Sequence, residues 1–226
     1  SMTCSMTKGT STSMTCSIFR NTLKPFDMRW CYLENLRPLF SEPSPDLLEH
    51  RYAPDNAFLI TRDTADKTVE GPPFFYSNLV SDYDSISGHA RHFPLRLFKK
   101  PQLLHKDGMA SFFDDEAPTV TANLSPAARA YLKALGLPGP DADADTAALL
   151  WLHALAVGYS PAYLSDNADG IRQDWPRIPL PATAAALRAS AALGERVAAL
   201  LDTERPVGGV TAGAIRPELR GVAEVR

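Results

Sequence analysis

The sequence has few of the features that mark membrane, secreted or disulfide-bonded proteins. None of its 226 residues belongs to an apolar run of about 18 or more, so we expect no membrane span. The N-terminus lacks the basic-then-apolar order of a secretory signal. There are only three cysteines, and an odd, low count favours a reducing compartment over a disulfide framework. We therefore expect a cytoplasmic protein.

Histidine and cysteine spacing gives little support for a metal site. His89 and His92 form an H-x-x-H pair, but no second pair of ligands lies near them in the sequence. A structural zinc site as a rule needs four protein ligands. We therefore expect no bound metal.

Positive charge is also scarce, because the net charge at neutral pH is −3. This value argues against a protein that coats nucleic acid through phosphate contacts alone. The charge is uneven, however. Residues 18–106 hold 12 lysines and arginines against 11 acidic residues, whereas residues 107–226 hold 10 against 15. The first part can therefore still carry a local basic face.

The chain divides by pattern into a β-rich part and a helical part. Residues 1–17, rich in Ser, Thr and Met, are expected to be a disordered arm, a vector remnant, or a strand that pairs with a preceding domain. Residues 18–106 contain alternating and β-branched runs, 107–122 form an acidic linker, 123–204 have helical periodicity, and 205–226 are a tail or an edge hairpin. The predicted fold is α+β, an irregular β-rich half followed by a helical half.

The helical part has recognisable start signals and apolar faces. Ser125 before Pro126 is typical of an N-cap followed by proline in the first turn. The last helix is predicted over about 182–201. Its buried face is predicted to hold Ala186, Leu193, Val197, Leu200 and Leu201.

Catalytic motifs are absent from the sequence. It has no phosphate-binding G-x-x-x-x-G-K-[ST] loop, no G-x-G-x-x-G fingerprint and no G-x-S-x-G elbow. Gly71-Pro-Pro-Phe74 resembles the Pro-Pro-aromatic motif of amino-methyltransferases. In those enzymes the residue before the two prolines has a polar side chain, which accepts a hydrogen bond from the target amino group. Glycine has none, so we interpret Gly71–Phe74 as a turn that leads into a strand.

Several segments, in order, resemble the C-terminal specificity domain of Type ISP restriction–modification enzymes. Those single polypeptides join a nuclease, a translocase, an adenine methyltransferase and a target-recognition domain. The resemblance covers about nine-tenths of the chain. It is carried by the segments Leu23–Tyr32 (containing PFDMRWCY), Arg37–Phe40, Asn56–Arg62, Pro73–Tyr76, Gly88–Leu95, Leu124–Tyr131, Leu150–Leu155, Tyr159–Tyr163 and Asp174–Pro179.

The resemblance implies sequence-specific recognition of double-stranded DNA for an adenine methyltransferase, by a non-catalytic domain or fragment. It also implies the methyltransferase and translocase part of a parent polypeptide as partner. S-adenosylmethionine, ATP and magnesium are expected for that parent, and no cofactor is expected in this chain. Specificity domains vary where they contact bases, so we choose candidates by chemistry alone, as cationic or hydrogen-bonding side chains of the first half. The candidate DNA-binding residues are Lys24, Arg29, Arg37, Arg62, Arg91, His92 and Lys99.

Each candidate also has a structural interpretation, as an ordinary framework or surface residue. This applies above all to Arg29, whose motif recurs in proteins that read different sequences. Trp151, Trp175 and His153 are predicted to be structural. The alternative function is a protein-interaction module that docks on a methyltransferase or translocase. A stand-alone hydrolase is disfavoured, because the sequence has no nucleophile–base signature.

Overall fold

Short strands come first along the chain and helices follow. This computed structural model describes residues 18–32, 45–64, 71–86, 89–99, 105–106, 109–110, 118–202, 205–214 and 217. Within them, small antiparallel sheets occupy the N-terminal half and helices the C-terminal half, which confirms the predicted α+β fold. The predicted arm 1–17 lies outside the described residues.

The strands of the described residues pair into four small sheets, with the orders β1-β2, β4-β3-β5, β6-β9 and β7-β8. Their bounds are β1 Ile18–Lys24, β2 Asp27–Tyr32, β3 Phe58–Thr61, β4 Phe74–Ser77, β5 Arg91–Pro94, β6 Arg96–Lys99, β7 His105–Lys106, β8 Met109–Ala110 and β9 Thr119–Ala122. The last of these strands falls within the interval 107–122 that was predicted to be a linker, and it pairs with β6.

The central strand of the largest sheet is β3, an apolar and β-branched run whose four residues are all buried. It pairs antiparallel with β4 on one side and β5 on the other, so Thr61 faces both Phe74 and Arg91. Residues that follow β3 and residues that begin β5 therefore meet at one end of this sheet.

The β1–β2 hairpin closes through a tight turn and is anchored to the sheet. Pro25 and Phe26 form the turn, and Phe26 has a φ of 67°, as the second central residue of a type II turn requires. Thr22, fully buried, exchanges backbone hydrogen bonds with Val80 (3.0 Å) and Asp82 (2.8 Å). Its Oγ1 also lies 3.1 Å from the hydroxyl oxygen of Ser77. This single residue joins the hairpin to the segment that follows β4.

The helices are α1 Pro45–Leu48, α2 Pro126–Ala134, α3 Ala144–Gly158, α4 Pro161–Asp166, α5 Ala168–Gln173 and α6 Ala184–Leu201, and a 3₁₀ turn Glu49–Tyr52 follows α1. Side chains accept hydrogen bonds from backbone N–H groups at four helix starts, as N-caps do. The capping residues are Ser125, Asp143, Ser160 and Thr183. The predicted N-cap at Ser125 is therefore confirmed.

The two longest helices, α3 and α6, pack against each other along a seam of small residues. The buried residues of α6 are Leu187, Ala191, Gly194 and Leu201. The predicted face holds for Leu201 and for Val197, which packs against the core, but it was wrong for Leu193 (54% exposed) and Leu200 (49% exposed). A Cβ added at Gly194 would lie 1.9 Å from the carbonyl oxygen of Leu152 in α3. Only a residue without a side chain permits this approach, so the contact face is built around glycine and alanine rather than around leucine.

One core cluster joins the sheet to these helices. It combines residues of β3 and β4 with Leu155 of α3 and Leu201 of α6. Gly158 at the end of α3 lies directly on Phe74, since a Cβ there would come within 2.2 Å of the ring. A second cluster, made of Leu132, Leu149, Leu187 and Ala191, holds the helices together. No helix in the described part of the chain has the length and apolar character to cross a bilayer.

Candidate nucleic-acid interface

Two candidate arginines meet at one end of the three-stranded sheet. Arg91 begins β5 opposite Thr61, and Arg62 follows Thr61 directly. The Arg91 side chain is 42% exposed and its Nη2 lies 3.4 Å from the carboxylate of Asp63. An exposed guanidinium with one distant carboxylate partner retains donors for a second acceptor. Arg91 is therefore well placed for a phosphate or a base edge.

Arg62, in contrast, is a buried arginine, only 3% exposed. Its Nη2 donates to the carbonyl oxygen of Gly71 at 3.4 Å. Gly71 has a φ of 68° and Phe74, 6% exposed, begins β4 within the core. The segment therefore leads into a strand, as predicted.

His92 is partly buried and contacts a buried serine. Its Nε2 is 2.5 Å from the hydroxyl oxygen of Ser81, which also lies 3.0 Å from that of Ser85. Burial lowers the pKa of His92, although the nearby carboxylate of Asp82 and the Ser81 contact oppose the shift. A serine and a histidine in contact resemble a nucleophile and its base, but Ser81 is only 6% exposed and belongs to a buried polar cluster beside Thr22.

The hairpin holds two further candidates. Lys24 ends β1, and its ammonium group donates to the backbone carbonyl of Asp84, which ties the hairpin tip to the segment after β4. Arg29 lies in the middle of β2 with its side chain 63% exposed. Its guanidinium makes a bidentate contact with Asp27 at 2.8 and 3.0 Å, and that hydrogen bonding lowers the pKa of the Asp27 carboxyl. Both residues thus have framework contacts as well as exposure.

The remaining candidates are not brought to this end of the sheet. Lys99 is exposed and ends β6, so in extended chain it lies up to about 26 Å from Arg91. Arg37 lies outside the described residues. The structure therefore brings Lys24, Arg62 and Arg91 to the region where the hairpin tip meets the sheet, and leaves Arg29 and Lys99 elsewhere.

Exposed aromatic side chains of the hairpin are features that the choice of candidates by charge had missed. Phe26 is 57% exposed at the tip, and Trp30 is 67% exposed on β2. The guanidinium carbon of Arg20 lies 5.3 Å from the centroid of the Trp30 ring, within cation–π range. The Lys-Pro-Phe-Asp order was the available signal, because proline in a hairpin turn places the following side chain at the tip.

A cavity of about 350 Å³ opens between the hairpin tip and the end of the sheet. Phe26, Phe75, Arg62, Ile86 and Tyr159 contribute to its walls. Burial raises the pKa of Tyr159 to about 12, so its hydroxyl stays protonated near neutral pH. In the part of the chain that the structure describes, no three His, Cys, Asp or Glu side chains are grouped as a metal site would need.

Comparison with known families decides the identity of this fold. The family model described as "Type ISP C-terminal specificity domain" matches residues 5–216. The chain belongs to this family. No curated protein sequence is significantly similar to the domain.

Three solved structures resemble the specificity domain. The cryo-electron microscopy structure of the DrdV–DNA complex has a TM-score of 0.58 and 19% identity, over 84% of this domain and 16% of that chain. The ATP-dependent Type ISP restriction–modification enzyme LlaBIII bound to DNA has a TM-score of 0.56 and 12% identity, over 84% and 11%. The structure of a nuclease-deletion mutant of the Type ISP enzyme LlaGI with a DNA substrate mimic has a TM-score of 0.51 and 17% identity. The match covers 85% of this domain and 12% of that chain. At these identities the likeness concerns the fold, and the domain spans less than a fifth of each of these chains.

Proposed function

We propose that this specificity domain selects the DNA sequence on which a Type ISP restriction–modification enzyme acts, without catalysing a step itself. The observation that carries the proposal is the family match over residues 5–216. The similar fold of three enzymes solved with DNA or a DNA mimic supports it. In this proposal the parent polypeptide supplies the methyltransferase and the translocase. That parent uses S-adenosylmethionine, ATP and magnesium, and it works in the cytoplasm.

Recognition is assigned to the β-rich half, where the hairpin tip meets the sheet. Phosphate contacts set the register of a protein on DNA, and base-edge contacts in the major groove carry the sequence information. Arg91 is exposed enough for either role, whereas buried Arg62 can contact DNA only through the cavity. The helical half, which carries the acidic excess, is assigned to packing and to docking on the parent.

A domain graft tests the recognition role. The chain replaces the specificity domain of a related Type ISP enzyme, and methylated adenines are mapped by sequencing. We expect the methylated motif to become the motif of this domain's parent. If the methylated motif remains that of the recipient enzyme, the proposal is contradicted. If the domain binds a methyltransferase tightly and shows no preference among DNA sequences, an interaction module is favoured instead.

Two arginine variants separate DNA contacts from general charge effects. Arg91→Ala and Arg177→Ala each remove an arginine paired with an aspartate, but Arg177 lies after α5 in the helical half, 88% exposed. If Arg91 reads a base, its loss weakens the cognate site by about 1–3 kcal/mol and relaxes one position. If it binds phosphate, all sequences weaken alike and the salt slope falls by about 1. Equal effects of the two variants would contradict its placement in the interface.

The absence of catalysis has its own assay. The purified domain is incubated with DNA and labelled S-adenosylmethionine, and separately with ATP, at concentrations where the parent enzyme turns over. We expect no methyl transfer and no hydrolysis. Turnover that increases in proportion to the concentration of the domain and survives repeated purification would refute the non-catalytic role.

A further inference from the structure

The cavity between the hairpin tip and the sheet is lined by the kinds of side chain that line small-molecule sites. Its volume of about 350 Å³ falls within the range of small-molecule pockets, roughly 300–1,000 Å³. Such pockets combine apolar and aromatic walls with a few polar groups that orient the ligand. Here Phe26, Phe75 and Ile86 supply the apolar walls, and Arg62 and Tyr159 supply the polar groups.

The aromatic walls suit a flat, unsaturated ring. Phe26 and Phe75 lie edge to face, with 6.0 Å between ring centroids and 78° between planes, and Phe75 is the aromatic partner of Phe26 among the described residues. Phe26 is 57% exposed although it lines the cavity. A phenylalanine at a φ of 67° is strained, and such strain tends to persist at ligand-binding positions.

The polar groups are hydrogen-bond donors. The Arg62 guanidinium, which lines the cavity, donates to the carbonyl oxygen of Gly71 at 3.4 Å and supplies a positive charge there. Among the described residues the Tyr159 hydroxyl has no hydrogen-bond partner, and its raised pKa keeps its proton in place near neutral pH. Donors beside aromatic walls match the oxygen and nitrogen acceptors on the edge of a nucleobase. A phosphate would instead lose hydration water against three apolar walls, which offer no hydrogen bonds in exchange.

We propose that this cavity receives one DNA base that has left the stack, with the Phe26 ring against its face, Tyr159 donating to its edge and the Arg62 guanidinium beside it. The inference rests on the proposed function, because it requires the domain to bind its DNA site. The base held here differs from an adenine that is being methylated, since that adenine must reach the methyltransferase of the parent. The cavity would thus add readout that does not depend on the grooves.

The experiment places the fluorescent base 2-aminopurine at one position at a time across the cognate duplex. Anisotropy first establishes that the domain saturates each duplex and prefers the cognate site over a scrambled one. We expect a several-fold rise in fluorescence at one position on binding, and little change at its neighbours. At that position an abasic substitution should not weaken binding, because the cost of unstacking disappears.

Variants connect the signal to the cavity. Phe26→Gly removes the ring while its backbone suits a φ of 67°, so the fold is retained and the fluorescence rise should be lost. Trp30→Ala, which removes an exposed aromatic of the same hairpin outside the cavity, is the matched control and should retain the rise. Tyr159→Phe should weaken binding to the intact site but not to the abasic one.

The outcomes separate the two proposals. Preference for the cognate site without a rise at any position overturns the base pocket and leaves the recognition role intact. A fluorescence rise that is retained in Phe26→Gly places the unstacked base elsewhere, and this result also overturns the base pocket. Absence of any sequence preference contradicts the proposed function itself.

Discussion

The close contact between α3 and α6 makes Gly194 sensitive to any added side chain. In Gly194→Ala the new Cβ would lie 1.9 Å from the Leu152 carbonyl oxygen, so the helices must separate locally by about 1 Å. Overpacking of this kind costs roughly 1–3 kcal/mol, and the higher helix propensity of alanine returns up to about 1 kcal/mol. We expect a net loss of about 1 kcal/mol, or ~2–4 °C in Tm for a domain of this size.

Gly170→Ala provides the matched control, because Gly170 lies in α5 and no atom would come within 4 Å of the added Cβ. There only the helix propensity changes, so the free energy of unfolding should rise by up to about 1 kcal/mol. Urea denaturation of both variants, followed by circular dichroism, measures the difference. A Gly194→Ala protein as stable as the unsubstituted domain would show that the helices do not approach this closely.

Two further stability predictions follow from the polar contacts. Burial lowers the pKa of His92 below its ordinary value of 6.5, so its contribution to stability is complete above about pH 6.5 and is lost as the pH falls below that value. As the pH is lowered through this range, the urea midpoint should fall for the unsubstituted domain and fall less for His92→Gln. If the midpoints of the two proteins fell in parallel, His92 would not be the group responsible. Arg129 donates to the carbonyls of Leu124 and Ala122 and to the Asp141 carboxylate, so Arg129→Ala should cost about 1–2 kcal/mol by urea denaturation. Arg177→Ala, at a more exposed ion pair, serves as control, and equal losses would argue against a structural role for Arg129.

Local signals in the sequence predicted those parts of the fold that depend on local chemistry. The β-branched run before Arg62 became the buried strand β3, and Ser125 caps α2 as its position before proline indicated. The interval 174–181, rich in proline, contains no helix. His153 is satisfied as predicted, with ring nitrogens 2.7 Å from the Ser190 hydroxyl and 2.8 Å from the Pro179 carbonyl.

Features that depend on distant segments could not be predicted in this way. Periodicity marks where large apolar residues recur, but the α6 contact depends on where small residues let Leu152 approach. Charge marked Arg62 as a candidate, whereas it is buried beside Gly71 and the hairpin tip, which are distant from it in the sequence or follow it. The exposed aromatic at Phe26 carries no charge, so a search for cations passed over it.

Three of the candidate cations of the β-rich half lie where strands begin or end, whereas Arg29 lies in the middle of β2. Lys24 is the last residue of β1, Arg91 the first of β5 and Lys99 the last of β6. A substitution at such a position changes neither the strand register nor the buried face. If these positions contact DNA as proposed, single-residue changes there would alter the selected DNA sequence and leave β3, α3 and α6 untouched. For engineering, libraries restricted to these termini would sample new targets without first having to rescue the scaffold.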